Sequence, residues 1–383
     1  MWMCSGMEVF VDPGYRTGLG TGFYDRVSEL SILERLVGGY KLVIIYGPRN
    51  AGKSELVWYW ARRRAGVRLV AFRADRIRSS KTLEGLERLL EAPEERVKDA
   101  IISELRRRAT EHLNLLSIAY TIYDALLPLG GETVIFIDEL HMLPDYAAGA
   151  RSRRGEVLAD LEALAHWLAK NPRGYPRVVL TVSEGFVAGG EVLARLHGYS
   201  TKLMLVEGLD PKHYSALYNE YRGARGCSVD YKVVYGVAGG APGYLPQLCQ
   251  GENFVVDFIE ESKATLEASL EDVRERLLLE GRGYVEDLKL PHLMKLALRL
   301  AGGEAVKPLK EPLLYRVGLL LTEHNIVYPS YEGSHIRFKP QLPLYRVLLE
   351  VAVERGYESI LEVEARDALE RVSRAGSSLN SPT

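Results

Sequence analysis

The chain has 383 residues, which at roughly 100–200 residues per domain allows two or three domains. Its composition, 47% hydrophobic and 26% charged, supplies ample core and excludes wholesale disorder. The formal charge of −2 excludes a globally basic nucleic-acid coat, so any such partner must be met by a local patch.

In chain order, Tyr40–Tyr46 is an apolar, β-branched run ending at Gly47 and predicts a first buried strand. A helix follows from about Ser54 to Arg64, then a second strand over Val67–Phe72. A helical region is expected over roughly 83–127, broken near Ala92-Pro93. Thr133–Ile137 predicts a third strand, Glu156–Lys170 an amphipathic helix and Arg177–Val182 a fourth strand. A short helix near Glu191–His197 leads to a fifth strand over Thr201–Val206. Strands alternating with helices imply a parallel sheet covered on both faces.

From Asp210-Pro211 the strands stop. Asp210 is placed to cap a helix whose first position is Pro211. Helices are expected near 211–222 and 229–237, followed by Gly239-Gly240-Ala241-Pro242-Gly243. A long charged helix runs from about Phe254 to Leu279, and Gly281-Arg282-Gly283 is a candidate hinge. Two more helices, about 284–300 and 308–321, precede β-like runs at Asn325–Tyr328 and His335–Phe338, joined by a Pro-Ser-Tyr-Glu-Gly turn. A final helix follows Pro343, and the small, polar stretch from Ser373 to Thr383 is expected to fray.

Cys4, Cys227 and Cys249 lie far apart and form no CxxC pair, so neither a zinc site nor a disulfide is predicted, and a reducing, cytoplasmic setting fits. No apolar run reaches about 18 residues, and no basic segment precedes a hydrophobic core at the N-terminus, so no membrane partner is expected. Arginine outnumbers lysine 35 to 14 and Asn plus Gln total ten, a composition suited to a hot habitat. The Trp and Tyr residues do not interleave with basic ones, and most read as core or interface. His141 has no second His at metal spacing and reads as a loop or packing residue.

The chemistry is concentrated in two motifs. Gly47-Pro48-Arg49-Asn50-Ala51-Gly52-Lys53-Ser54 matches GxxxxGK[ST] between a predicted strand and a predicted helix. Its glycines let successive N–H groups face phosphate, and the helix N-terminus that continues through Glu55 adds partial positive charge. Lys53 is placed to reach the β- and γ-phosphates of ATP, and Ser54 to ligate Mg²⁺. Farther along, Val134-Ile-Phe-Ile137 delivers Asp138 and Glu139 to a strand end. Asp138 would complete the Mg²⁺ site with Ser54, and Glu139 would polarise the attacking water. The fourth strand ends Thr181-Val182-Ser183. A hydroxyl there can position water or sense phosphate; Ser183 is the first choice and Thr181 the second, and because alternation puts both on one face the sequence does not separate them.

The order of Phe23-Tyr24-Asp25-Arg26-x-x-Glu29-Leu30, the phosphate loop, Asp138-Glu139-Leu140, the polar fourth-strand end and Gly240-Ala241-Pro242 resembles the archaeal ATPase family within the STAND and AAA+-like P-loop proteins. The resemblance implies an α/β P-loop NTPase of ASCE type, with a five-stranded parallel sheet in the order 5-1-4-3-2, a helical lid and a C-terminal winged-helix domain. It assigns 1–207 to the core, 208–253 to the lid, 254–283 to a linker helix, 284–372 to the winged domain and 373–383 to a tail. It implies that ATP or ADP lies against both core and lid, with Tyr24, Asp25 and Arg26 on the base side and Pro242 on the lid side. Two departures stand out. The family's fourth-strand end often reads Thr-Gly-Ser, and no arginine finger is evident, although Arg151, Arg153 and Arg154 cluster after Glu139. An absent finger implies slow intrinsic turnover, since such an arginine is worth about 10³–10⁵ in rate.

Basic residues leave the partner open. Those from Arg62 to Lys81 read either as a nucleic-acid patch or as cations complementing a helix C-terminus. Within the acidic C-terminal section, 288–346 carries nine basic and four acidic residues. Lys310, Arg316, Arg337 and Lys339 would face duplex DNA if this section reads as a winged helix. The alternative is a domain that regulates the core or binds a protein. Monomer and nucleotide-dependent oligomer both remain open.

Overall fold

The computed structural model describes residues 11–73, 90–91, 95–107, 115–126, 132–139, 154–170, 176–182, 195–196, 198–280, 288–332 and 335–378. In chain order the elements are β1 (Val11–Asp12), β2 (Phe23–Tyr24), α1 (Val27–Gly39), β3 (Leu42–Tyr46), α2 (Lys53–Arg63), β4 (Val67–Arg73), β5 (Leu90–Glu91), α3 (Glu95–Arg107), α4 (Leu115–Leu126), β6 (Glu132–Asp138), α5 (Arg154–Lys170), β7 (Arg177–Thr181) and β8 (Thr201–Leu205). Then come α6 (Pro211–Arg225), α7 (Tyr231–Ala238), α8 (Leu245–Leu248), α9 (Glu252–Leu279), α10 (Leu290–Ala301), β9 (Ala305–Val306), α11 (Pro312–Glu323), β10 (Val327–Glu332), β11 (His335–Pro340), α12 (Pro343–Arg355) and α13 (Ala365–Ser378). Contacts divide the chain into two compact units, one of residues 26–47 and 53–206, the other of 1–25, 48–52 and 207–383.

The first unit is built on a sheet with strand order β5-β4-β6-β7-β3-β8. The pairs β4–β6, β6–β7, β7–β3 and β3–β8 are all parallel. Counting only the parallel strands, this is the expected order 5-1-4-3-2. All of β3 is buried, as a parallel strand covered on both faces must be. Residues on one face of it, Leu42 and Ile44, share a core with Val70, Phe72, Ile135, Ile137, Val178 and Leu180 and with Leu161, Leu164 and Leu168 of α5. β5 corrects an expectation: Leu90 and Glu91 were in a predicted helix but pair antiparallel with Phe72 and Ala71. The outer edge of β4 has backbone groups to satisfy, and this outweighs local helix propensity.

In the second unit, α9 buries Phe258, Ile259, Leu266, Leu270, Val273 and Leu277, a stripe at helical spacing. They join a core with Leu293, Ala297, Leu320, Leu348 and Val372. The β9–β11 sheet has the order β10-β11-β9, with both pairs antiparallel. β10 runs through Pro329, which pairs in register with Phe338, so the predicted turn at Pro329 is instead strand. Proline is tolerated because β10 is the free edge of this sheet, where its missing N–H breaks no ladder bond. Similarly, α13 continues to Ser378, beyond the predicted start of the frayed tail, because Val372 packs on α7. A Cβ on Gly236 of α7 would lie 2.5 Å from Val372 Cγ1, so glycine permits this approach.

Cys227 and Cys249 form a disulfide, contrary to the expectation of free thiols. Their separation of 22 residues gives no sequence signal, but the packing of α6, α7 and α8 brings their Cα atoms to 4.7 Å. The predicted hinge at Gly281–Gly283 lies outside the described residues. Among the described residues, no helix is long and apolar enough to cross a membrane.

Candidate active site

β3 ends at Tyr46, and the chain turns through Gly47 with φ +139°. A Cβ there would sit 2.0 Å from the Val206 carbonyl oxygen, so only glycine fits. Pro48, Arg49, Asn50, Ala51 and Gly52 form the turn, with Asn50 and Gly52 also at positive φ. Lys53 and Ser54 then open α2, with Glu55 in its first turn. The Lys53 side chain is buried and its ammonium donates to the Gly47 carbonyl at 2.8 Å.

The end of β6 carries a connected set of polar groups. Asp138 is buried, and its Oδ1 accepts from Ser54 Oγ at 2.6 Å and from Thr181 Oγ1 at 2.5 Å. Thr181 Oγ1 in turn accepts from the Glu139 backbone N–H at 2.9 Å. Glu139 has φ +53°, a left-handed conformation that turns the chain immediately after the strand. Of the two fourth-strand hydroxyls, Thr181 is therefore the one seen to join the acidic pair; Ser183 lies outside the described residues.

Burial raises the Asp138 pKa to about 6, and the Glu139 charge adds to the rise, against hydrogen bonds from Ser54 and Thr181 and the charge of Arg73. The folded pKa exceeds the ordinary 3.8, so the neutral acid is favoured and the associated stability is present below pH 3.8 and lost as pH rises through 6. The shift of about two units corresponds to about 3 kcal/mol at neutral pH. Asp138→Asn keeps an acceptor for both hydroxyls without the charge. In EDTA it is expected to be more stable than wild type at pH 7.5, with the gap closing at pH 4, as read by urea unfolding.

The other predicted nucleotide contacts have partners of their own. The Tyr24 hydroxyl donates to Glu220 at 2.7 Å, and Gly22 N–H and Arg16 reach the same carboxylate. Burial and this bond push the Tyr24 phenol up. Burial opposes ionisation of Glu220, but its hydrogen bonds hold the carboxyl below its ordinary value. The Asp25 carboxylate lies 3.5 Å from His213 Nδ1, which Asp210 also engages while capping α6. Arg26 is buried and pairs with Glu29 at 2.6 Å. Pro242 begins a 3₁₀ turn, Pro242–Tyr244, in which Gly243 N–H donates to the Asn50 carbonyl at 3.1 Å. This turn thus bonds directly to the Gly47–Ser54 loop at Asn50. Glu220 and the Asn50–Gly243 bond had no sequence signal.

The basic residues proposed for DNA are mostly engaged within the chain. Arg316 Nε bonds Glu280 at 3.0 Å. Arg337 bonds Glu332 at 2.8 Å and the Gly303 carbonyl at 3.0 Å, and Lys339 bonds Glu207 at 2.7 Å. Lys310 is exposed in the turn before α11 rather than on the helix, since Pro312 starts it. In the first unit, Arg63 donates to the Tyr59 hydroxyl and Arg64 pairs with Glu34 and Glu132. Arg151, Arg153 and His141 lie outside the described residues, and Arg154 opens α5.

The family described as an ATPase domain predominantly from Archaea matches residues 23–248. No curated protein matches the chain. Among solved structures, the Walker-type ATPase paby2304 of Pyrococcus abyssi is 19% identical, covering 86% of this chain and 96% of its own, with TM-score 0.50. The ORC2 protein of Aeropyrum pernix, solved with ADPNP and ADP, is 14% identical with coverage of 93% and 97% and TM-score 0.38. The ORC1 protein of Aeropyrum pernix, solved with DNA, is 15% identical with coverage of 86% and 92% and TM-score 0.38. The chain has the α/β P-loop NTPase fold and belongs to this archaeal ATPase family: it is a nucleotide-binding ATPase.

Proposed function

We propose that the protein is a slow, Mg²⁺-dependent ATPase that works as a molecular switch. The observation that carries this reading is the hydrogen-bonded set Ser54–Asp138–Thr181–Glu139, which joins the phosphate-loop serine to both acidic residues. The phosphates of ATP would lie along the N–H groups of Gly47–Ser54, and the Lys53 ammonium would exchange the Gly47 carbonyl for phosphate oxygens.

A buried carboxylate and an adjacent hydroxyl are hard oxygen donors that suit Mg²⁺, and burial of Asp138 gives a reason for a cation there. When bound, the ion neutralises charge on the transferring phosphoryl group. Glu139 would accept a proton from the attacking water, while Thr181 holds its backbone in place. Tyr24, Asp25 and Arg26 would flank the base, and Pro242 would place the lid turn on the phosphate loop. A lid that bonds to Asn50 can register the occupancy of that loop.

The succession α10, β9, α11, β10, β11 is consistent with a winged-helix effector. The engagement of Arg316, Arg337 and Lys339 favours a regulatory or protein-binding role over duplex DNA. ATP turnover measured with and without duplex and single-stranded DNA tests the reading. The expected result is slow Mg²⁺-dependent phosphate release that DNA leaves unchanged. Stimulation by duplex DNA, with salt-sensitive binding weakened in Lys310→Ala/Arg316→Ala, would favour an initiator- or remodeller-like ATPase instead. ATP that raises the melting temperature without phosphate release would leave a nucleotide-stabilised interaction module.

A further inference from the structure

We propose that the Cys227–Cys249 disulfide is a redox-controlled staple that holds the lid turn on the phosphate loop, so that reduction weakens nucleotide binding. The inference rests on the nucleotide reading of that loop. Cys227 follows the end of α6, and Cys249 follows α8. The bridge between them closes a covalent ring that contains α7, the Gly239–Gly240 turn, Pro242–Tyr244 and α8.

Among the close approaches between this ring and the rest of its unit, two bear on the phosphate loop and the chain leading into α6. At the first, Leu209 N–H donates to the Gly240 carbonyl at 2.8 Å, and a Cβ on Gly240 would lie 2.0 Å from the Leu209 oxygen. At the second, Gly243 N–H donates to the Asn50 carbonyl, and a Cβ on Gly243 would lie 2.7 Å from Asn50 Cβ. Contacts that close tolerate little displacement. A bridge that removes conformations from the intervening chain therefore favours the one arrangement in which Gly243 reaches Asn50. Reduction restores those conformations, and nucleotide binding must then reselect the bonded arrangement.

The chemistry balances by thiol–disulfide exchange. Cys227 and Cys249 thiols each give up a proton, and their two electrons pass to a donor disulfide. The Cys227 Sγ–Cys249 Sγ bond forms as the donor S–S bond breaks, through a mixed disulfide, and two donor thiols leave; a dithiol reverses the reaction. Both cysteines are buried, at 5% and 8% exposure, so a reductant needs the ring to open locally. Coupling between two sites is reciprocal, so bound nucleotide should slow reduction.

The test uses the full chain, a non-hydrolysable ATP analogue and Mg²⁺, with the protein oxidised, reduced by a phosphine, and reoxidised. Thiol titration in denaturant should count one thiol, Cys4, in the oxidised form and three in the reduced form. Analogue affinity should fall roughly tenfold on reduction and return on reoxidation, which a misfolded protein would not do. Cys227→Ser/Cys249→Ser should hold the weaker affinity and ignore redox state, and the analogue should slow reduction of wild type. Equal affinity in oxidised and reduced protein overturns the inference alone, as does a count of three thiols in the oxidised preparation. Binding by neither form overturns the nucleotide reading and this inference with it.

Discussion

Lys53→Ala is expected to weaken ATP binding about 100-fold, from the roughly 3 kcal/mol typical of a lost charge-assisted hydrogen bond. Lys53 is the first residue of α2 and is buried, and its ammonium already lies within the loop on the Gly47 carbonyl. Alanine is a good helix former, so α2 should persist and the melting temperature should change little. The variant therefore separates binding from folding. Titration with a fluorescent ATP analogue checks the affinity, and thermal unfolding without nucleotide checks the fold. Unchanged affinity in a folded variant would remove the loop from the binding site.

The second large effect is on rate. Glu139→Gln is expected to lower hydrolysis by roughly 10²–10⁴-fold, the range for loss of a general base. Binding should survive because the group that Thr181 accepts from is the Glu139 backbone N–H, which glutamine retains. Glutamine and glutamate pay similarly for the left-handed backbone at this position, so the comparison isolates the carboxylate. Single-turnover phosphate release, with affinity measured in parallel, checks both halves. Thr181 is a positioning group by this account, since it holds both Asp138 and the Glu139 backbone.

What was legible in the sequence was local structure. The Gly47–Ser54 loop could be read because its glycines, lysine and serine fall within one turn between a strand and a helix. Asp138 and Glu139 stood out because an apolar strand ends in two acids downstream of that loop, and the fold brings Asp138 to Ser54. The parallel strand order followed from family resemblance, and the antiparallel addition of Leu90–Glu91 did not, since it answers the unpaired edge of β4. Thr181 and Ser183 alternate onto one face in sequence; Thr181 is seen to bond Asp138, and Ser183 lies outside the described residues.

Long-range pairings left no trace. Glu220 looks like an ordinary helix-surface acid until folding brings Gly22 and Tyr24 to it. Glu207 likewise gives no sign that Lys339 and Tyr328 will converge on it. A count of basic residues overstates the surface available to DNA, because net charge does not record which cations meet carboxylates in the fold. The Cys227–Cys249 bridge is invisible for the same reason: helix packing brings the two cysteines together, and their spacing does not.

The most direct test of the account is the identity of the nucleotide held after the full chain is incubated with ATP and Mg²⁺ and freed of unbound ligand. Wild type is predicted to hold ADP, with phosphate released, while Glu139→Gln holds intact ATP. ADP in both would contradict the assignment of Glu139 and of the Ser54–Asp138–Thr181 set as the hydrolytic centre.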